Sequence, residues 1–274
     1  MLMSPRWPSL LLHPCALMAW PRLWLLLFST TAVARRRKQP RGGWSGKVGS
    51  GLETERCTIP RIDAAELAEG ELRRRIGPEA QMPAIIAGAF SPAADPAWAN
   101  WSKASLLRRS GEAVLRTGAS EQIGFAGVAI AEQPVKELLG GGKGEGETFL
   151  AFDREFLDAT GAEYAPEPPT WLAEAVPNRE RLLSLGAAGA GLIYHTHGAA
   201  YIVVAFGAKR WFLQPPSWRI VSAWRKISSL QYARDIHPHL PEDQSPMECV
   251  QRPGEIVCKS ALLCFESLSR LQCH

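Results

Sequence analysis

His195 and His197, two positions apart in the sequence, form a pair that could bind a metal ion. The stretch at 194–216 reads YHTHGAAYIVVAFGAKRWFLQPP. On a β-strand, residues i and i+2 point to the same face, so His195 and His197 can converge on one point. Two imidazoles suit iron, zinc, nickel or copper. A pair of partly buried, hydrogen-bonded histidines is the competing interpretation, and the spacing alone does not decide between the two.

A lysine after the next tight turn is the second candidate. Alternation puts Lys209 and Trp211 on one face of the strand that follows the Gly-Ala turn. A lysine that projects into a barrel is costly to bury unless it meets an anion, such as a substrate carboxylate. In the alternative, Lys209 and Arg210 lie at the rim of a hairpin and are solvated. His237 and His239, in IHPHLPED, are interpreted as part of a solvated loop.

The helices and strands predicted from the sequence fall into two groups. Helical patterns occupy 63–76, 102–109 and 134–139 in the front half of the chain. From Leu182 onward, short β-type segments recur between Gly and Pro turns, interrupted by a helical stretch near 217–235, which indicates a sandwich or barrel. The 274 residues are enough for a substantial core. We therefore expect one α+β domain, mainly β, with a β-barrel core.

The N-terminus has the pattern of a targeting segment. In MAWPRLWLLLFSTTAVA, from Met18, an arginine precedes a short apolar run, and Ala32-Val33-Ala34 fits a small-x-small cleavage site. We expect 1–34 to be a signal peptide, or a signal anchor favoured by the RRRK that follows, with an organelle leader as a third alternative. A signal peptide places the body in the endoplasmic reticulum lumen or outside the cell. The basic, Gly-rich stretch 35–52 is predicted to be a linker.

The distribution of charged residues and of cysteines narrows the class of protein further. Eight of the 31 basic residues precede residue 48, and all 27 acidic residues follow it. The body is therefore net negative, and we expect no nucleic-acid partner. The triplet beginning at Asn100, Asn-Trp-Ser, is an N-glycosylation acceptor in a lumenal protein. Five cysteines lie beyond the leader, an odd number that is awkward in an oxidising compartment.

HTHG at 195–198 and GAKRWFLQPP at 207–216 resemble the JmjC-domain proteins, which are cupin-type oxygenases, and more narrowly a lumenal member of that family. ERCTI at 55–59, TFLAFD at 148–153 and PMECVQRPGEIV at 246–257 fall in the matching order. The resemblance implies a JmjC or cupin-like domain at 53–257. It also implies the double-stranded β-helix, or jelly-roll, fold with N-terminal helices.

The resemblance further implies Fe(II) and 2-oxoglutarate as cofactors of a hydroxylase-type oxygenase. His195 and His197 occupy the positions of two iron ligands, with His197 in place of the usual carboxylate. Lys209 occupies the position of the lysine that binds the distal carboxylate of 2-oxoglutarate. In the same register the third iron ligand falls on Phe265, where the family has a histidine. With two protein ligands, iron would be held weakly.

The chain departs from the family after Val257. Instead of an aromatic-rich strand it has CKSALLCFESLSRLQCH, a divergent tail at 258–274. The tail is an alternatively spliced or mistranslated 3′ end, a genuine degenerate end of a non-catalytic protein, or a segment in which His274 folds back as a ligand. We expect the C-terminal strands to be incomplete, which would leave an unpaired edge, an open core and a poorly folding chain.

Cys57 and Cys249 both fall in segments that carry the resemblance, which implies a disulfide between them; two separate buried thiols are the alternative. The chain-entropy model assigns such a long loop roughly 4 to 5 kcal/mol of stabilisation. Two functions stay open. One is an oxygenase of the secretory pathway that acts on a protein or small molecule. The other is a non-catalytic lumenal binding or scaffold protein with an unidentified protein partner. A membrane is a partner in either case if the signal is uncleaved.

Overall fold

The structure is a computed structural model of the chain. It describes residues 42–44, 54–66, 70–71, 74, 82–91, 96–119, 131–140, 149–153, 155–160, 169–175, 183–197, 200–214, 227–259 and 263–269. The chain divides into a unit of residues 1–38 and a unit of residues 39–274, and the described residues all lie in the second. The predicted signal segment and His274 lie outside them. No helix in these ranges is long and apolar enough to cross a membrane.

The described residues form short strands and short helices. The strands are β1 (Arg61–Asp63), β2 (Ala84–Ala87), β3 (Val114–Ala119), β4 (Ala131–Pro134), β5 (Phe149–Asp153), β6 (Leu183–Gly186), β7 (Gly191–His197), β8 (Ala200–Val203), β9 (Lys209–Gln214), β10 (Met247–Gln251), β11 (Ile256–Lys259) and β12 (Leu263–Ser269). The helices are α1 (Pro96–Ala99), α2 (Lys103–Ser110), α3 (Val135–Gly140), α4 (Glu155–Thr160), α5 (Thr170–Ala175) and α6 (Ser229–Gln231). Helix α6 continues into a π-helical turn (Tyr232–Ile236) and a 3₁₀ turn (His237–His239), and further 3₁₀ turns are Ala64–Glu66 and Glu242–Gln244.

The strands build three four-stranded sheets. The first sheet has the order β1-β2-β11-β8, the second β10-β9-β12-β7 and the third β4-β3-β5-β6. Strands β1 and β2 pair in parallel, and the other pairs are antiparallel. The mixture of helices and antiparallel strands agrees with the predicted α+β class.

The first and second sheets pack face to face. One core cluster combines Ile85 of β2 and Val257 of β11 with Trp211 and Leu213 of β9. Phe212, between the last two, belongs to a different cluster on the outer side of the second sheet. Both faces of β9 are therefore buried, because alternate side chains enter two different clusters. This is why KRWFLQ lacks the polar alternation of a half-exposed strand. We call the side that contacts the first sheet the inner face.

The C-terminal residues complete both of these sheets. Strand β11 lies between β2 and β8, and β12 lies between β7 and β9. The prediction of incomplete C-terminal strands, with an unpaired edge after Val257, is therefore wrong. The backbone N–H and C=O groups of β7 and β9 need partners, and residues 258–269 contain no proline that would prevent pairing. An extended segment can meet that need without the aromatic residues of the family pattern.

Part of the predicted linker 35–52 is docked on the domain. Trp44 is 5% exposed, and its Nε1 donates a hydrogen bond to the carbonyl oxygen of Trp101 at 3.2 Å. The carbonyl of Gly42 accepts from the backbone N–H of Lys103, at the start of α2, at 2.8 Å. A Cβ on Gly42 would lie 2.5 Å from the Phe206 ring, so glycine is required there. The linker prediction is thus wrong for 42–44, because a buried tryptophan needs no helical or strand periodicity.

A disulfide joins Cys57 to Cys249, as the resemblance implied, with 4.1 Å between the two Cα atoms. It ties residues 54–59, which we call the N-terminal arm, to β10. The backbone N–H of Thr58 donates to the carbonyl of Glu248 at 2.7 Å, and the N–H of Glu248 donates to Thr58 Oγ1 at 2.9 Å. Since β10 is an edge strand of its sheet, the arm covers an edge that would otherwise be open to pairing.

Replacing both Cys57 and Cys249 by alanine should lower the free energy of unfolding by roughly 4 to 5 kcal/mol, because the unfolded chain loses a 192-residue cross-link. Urea titration followed by tryptophan fluorescence measures the change. Cys258→Ala is the matched control, since it removes a buried thiol that forms no disulfide. If the double variant is no less stable than this control, the cross-link does not stabilise the domain.

Candidate functional site

Strand β7 turns His195 towards the inner face. Its neighbour Tyr194 is fully buried on the outer side, where its ring meets that of Tyr232 edge to face at 5.0 Å between centroids. Alternation then places the partly buried His195 on the opposite side, as the sequence predicted. His197 occupies the last position of β7, and its side chain lies outside the described part of the structure.

The sheet register puts Phe265 next to His195. In the ladder, His195 is the Cα partner of Phe265, and Phe265 is in turn the partner of Leu213, an inner-face core residue. This is the position that the resemblance implied for the third iron ligand. A phenyl ring has no lone pair to donate. Among the side chains that the structure describes, no three His, Cys, Asp or Glu residues form a group able to hold a metal ion. The residue present at position 265 therefore cannot serve as the third ligand of the implied iron centre.

Lys209 lies on the same face, further along β9. Its Nζ sits 4.6 Å from the centroid of the Trp211 ring, a cation–π contact. Burial lowers the pKa of Lys209 from 10.5 to about 8, and no described carboxylate offsets that effect. Lys209 is thus partly buried and less solvated than a lysine at an open hairpin rim. A partly buried ammonium of this kind would be stabilised by an anion.

The ring beneath Lys209 is held in place by an amide. Trp211 Nε1 donates to Gln251 Oε1 at 2.8 Å, and Gln251 Nε2 donates to the carbonyls of Ile202 and Glu255 at 2.8 and 2.7 Å. Ile202 belongs to β8, so Gln251 also links the first and second sheets. Sequence reasoning missed Gln251. The available signal was a glutamine at the end of a strand whose burial would require hydrogen-bond partners.

Lys209 and His195 lie on the same face of the second sheet, on strands that β12 separates. The ammonium lies over Trp211, which is two residues along β9 from the row formed by Leu213, Phe265 and His195. Two residues correspond to roughly 7 Å along a strand, and the two strand spacings from β9 across β12 to β7 add about 10 Å at right angles to it. An anion held by Lys209 would therefore share the inner face with the imidazole, at a separation along the sheet of about 12 Å.

The outer face of the second sheet holds a separate polar group. Arg210 is 6% exposed and its Nη2 donates to Glu248 Oε2 at 2.8 Å. His237 Nε2 lies 3.4 Å from the same oxygen, and the His237 ring packs against that of Phe212 at 4.7 Å. The alternative of a solvated Arg210 and the prediction of a solvated His237 are both wrong, whereas His239 is exposed. Burial is the main cause that lowers the pKa of His237 and so favours the neutral imidazole. This group attaches segment 229–239 to the sheet and does not reach Lys209.

The predicted glycosylation triplet lies in the turn between α1 and α2. Asn100 is partly buried, and its carbonyl accepts from Arg109 Nη1 at 3.0 Å. The hydroxyl of Ser102 accepts from the N–H of Ser105 at 3.3 Å and so caps α2. In the folded domain the triplet is thus part of a helix start. Glycosylation at Asn100 stays a prediction.

Comparison with known proteins supports the same resemblance as the motifs. No protein-family model matches the chain. The chain is 29% identical to JmjC domain-containing protein 8 of Homo sapiens over 243 aligned residues. The aligned region covers 86% of this chain and 88% of that protein. The proteins of the same name from Rattus norvegicus and Mus musculus are 29% and 26% identical, over 78% and 79% of this chain and 80% and 81% of their own lengths. The expected relationship is confirmed: the chain is a relative of the JmjC-domain proteins.

Proposed function

We propose that the chain is a JmjC-related protein of the secretory pathway that binds a small carboxylate and does not carry out iron-dependent oxidation. The observation that carries the proposal is the pairing of Phe265 with His195, at the position where the family has its third iron ligand. The facing first and second sheets support the double-stranded β-helix as its architecture. On this proposal the fold serves binding, to a ligand or to a protein partner.

The ligand class follows from Lys209. A partly buried ammonium without a described counter-ion carries a desolvation cost that a bound carboxylate would offset. The fixed ring of Trp211 restricts the ammonium to one side of the strand, so the anion must approach from the inner face. A dicarboxylate such as 2-oxoglutarate is the ligand that the relationship to JmjC proteins implies. Its second carboxylate would point towards His195.

The disulfide supports the secretory pathway as the location. Structural disulfides persist in oxidising compartments and are rare in the cytosol. Cys57 and Cys249 are bonded to each other, and the targeting pattern at 1–34 agrees with delivery to the endoplasmic reticulum. The lumen, or the outside of the cell, is therefore the proposed site of action, with attachment to the membrane if the signal is retained.

An Fe(II)- and 2-oxoglutarate-dependent hydroxylase of the same pathway is the second candidate. The shared inner face of His195 and Lys209 favours it, because the two implied functions of metal ligation and cosubstrate binding would lie side by side. It requires a third metal ligand at position 265. A transcript whose 3′ end encodes a histidine there would supply one.

The missing ligand can be added by substitution. Phe265→His should bind Fe(II) about 10-fold more tightly or better than the unmodified chain, because a third imidazole joins two others. Anaerobic titration with Fe(II) in competition with a chelator measures the affinity. Cys264→His is the control, since it adds an imidazole at the neighbouring strand position. If the unmodified chain binds iron as tightly as Phe265→His, the metal site is complete without position 265 and the binding proposal fails.

The carboxylate site should depend on pH through Lys209. Only the protonated lysine attracts an anion, so affinity for 2-oxoglutarate should be constant below pH 7 and fall as the pH rises through about 8. Each unit above the pKa should weaken binding by about 10-fold until the bound form also loses its proton. Calorimetric titration with a chelator present measures this without metal. Lys209→Met should abolish binding, and Lys209→Arg should keep the charge and flatten the pH profile. A flat profile for the unmodified chain would count against the site.

The secretory location is tested by expression of the full chain in mammalian cells. We expect protection from added protease in intact microsomes, which is lost on addition of detergent. We also expect an endoglycosidase-sensitive shift in mobility that Asn100→Gln removes, because the triplet at that position is the acceptor sequence. Protease sensitivity in intact microsomes would exclude a lumenal protein whether or not a glycan is attached.

A further inference from the structure

The two sulfurs of the disulfide differ in access. Cys57 is exposed on the N-terminal arm, whereas Cys249 is 1% exposed, inside the core between the first and second sheets. Thiol–disulfide exchange begins when a thiolate reaches one sulfur and displaces the other. Approach from solvent therefore selects Cys57 as the sulfur that is attacked, and Cys249 as the one that leaves.

A positive charge lies beside the leaving sulfur. Arg61 Nη2 is 3.4 Å from Cys249 Sγ and also donates to the carbonyl of Val250 at 3.1 Å. The Nη1 atom of the same guanidinium pairs with Glu255, which holds the fork in this orientation. A guanidinium stays charged at all physiological pH values, and a neighbouring cation lowers the pKa of a thiol. A thiol of lower pKa leaves faster, so Arg61 favours departure of Cys249 as a thiolate.

The remaining described thiol lacks both features. Cys258 is 4% exposed, and burial raises its pKa to about 12. It lies in the core cluster on the outer side of the first sheet, among Ile62, Ile86 and Leu172. A buried thiol in apolar surroundings is unreactive. Among the cysteine side chains that the structure describes, reactivity towards external thiols is thus concentrated at the arm.

We propose that the Cys57–Cys249 disulfide is an exchange site for a low-molecular-weight thiol, with Cys57 as the sulfur that becomes modified. The incoming thiolate forms a bond to Cys57 Sγ, the bond between Cys57 and Cys249 breaks, and its electron pair leaves on Cys249 Sγ. One disulfide replaces another, so this step involves no net oxidation. A second equivalent of the thiol can then attack the mixed disulfide. It releases Cys57, which takes up a proton, and it forms the disulfide of the small thiol, so that two electrons have passed to the protein.

The arm keeps other contacts that make the exchange reversible. Thr58 remains hydrogen-bonded to the backbone of Glu248 at 2.7 and 2.9 Å, and Ile59 is 2% exposed in the core that contains Trp211. These contacts hold the modified Cys57 near Cys249 and so give the freed thiolate a high effective concentration for the return reaction. The domain can therefore carry the modification while it remains folded.

The test uses the full chain, folded, with reduced glutathione as the probe. After acid quenching, peptide mapping by mass spectrometry should find glutathione on Cys57 and a free thiol at Cys249. Arg61→Gln should slow the exchange, by about threefold for each unit by which the pKa of Cys249 rises. Arg252→Gln removes an equal charge from an exposed residue nearby and should leave the rate unchanged. In denaturant the three chains should react at one rate.

The direction of the Arg61→Gln effect separates the proposal from a purely structural role. Arg61 also joins β1 to the turn before β11 through Glu255, so its loss could loosen the arm. A loosened arm would expose the sulfurs and accelerate exchange, whereas a weaker leaving group slows it. Faster or unchanged exchange in Arg61→Gln, or glutathione found on Cys249, would overturn the proposal. So would exchange in the unmodified chain no faster than its global unfolding.

Discussion

Pairing of β12 between β7 and β9 is the interaction on which the candidate site depends. It satisfies the backbone groups of both neighbours and makes Phe265 the partner of His195 on one side and of Leu213 on the other. A slip of one residue would turn every side chain of the strand to the opposite face, and the buried inner face penalises such a slip. The residue at position 265 is therefore the ladder partner of His195. Phenylalanine stands there, at the position where the family has a metal ligand.

Strand β9 supplies two different charged environments from adjacent residues. Arg210, on the outer face, meets Glu248 at 2.8 Å, and both are almost fully buried. Removal of one member of such a pair commonly costs about 3 to 5 kcal/mol, because the other charge is left buried alone. Lys209, on the inner face, has Trp211 beneath it and a pKa lowered by burial. The outer charge is thus compensated within the fold, whereas the inner charge has no carboxylate partner among the described residues and is the one that the proposed ligand would meet.

Strand alternation and the family register account for the parts of the site that the sequence predicted. Tyr194 and His195 take opposite faces, and Lys209 shares a face with Trp211, as a period of two requires. Position 265 was identified from the resemblance, and the ladder places it beside His195. Such predictions succeed because they depend on local geometry or on a register that the motifs already fix.

The features that the sequence did not predict depend on contacts between distant segments. LCFESLS does not have the aromatic pattern of the family, yet two neighbouring strands need its backbone, and tertiary pairing overrides weak propensity. His237 lies in a Pro-containing stretch typical of a solvated loop. It is buried because it packs against Glu248 of β10 and Phe212 of β9. Trp44 sits in a Gly-rich run without periodicity, and its burial depends on Trp101, 57 residues away. None of these partners can be identified from a local window.

Loss of a metal ligand does not remove the energetic reason for a ligand at this site. At neutral pH a lysine with a pKa of about 8 is mostly protonated, so the folded domain carries the cost of a partly desolvated ammonium. A carboxylate that binds only the folded state raises that pKa and adds its binding free energy to the stability of the fold. In an oxygenase the same contact would position a cosubstrate for oxidation. On the proposed function, with Phe265 in place of a metal ligand, the contact would act on binding and stability, and ligand occupancy would be coupled to the packing of the two facing sheets.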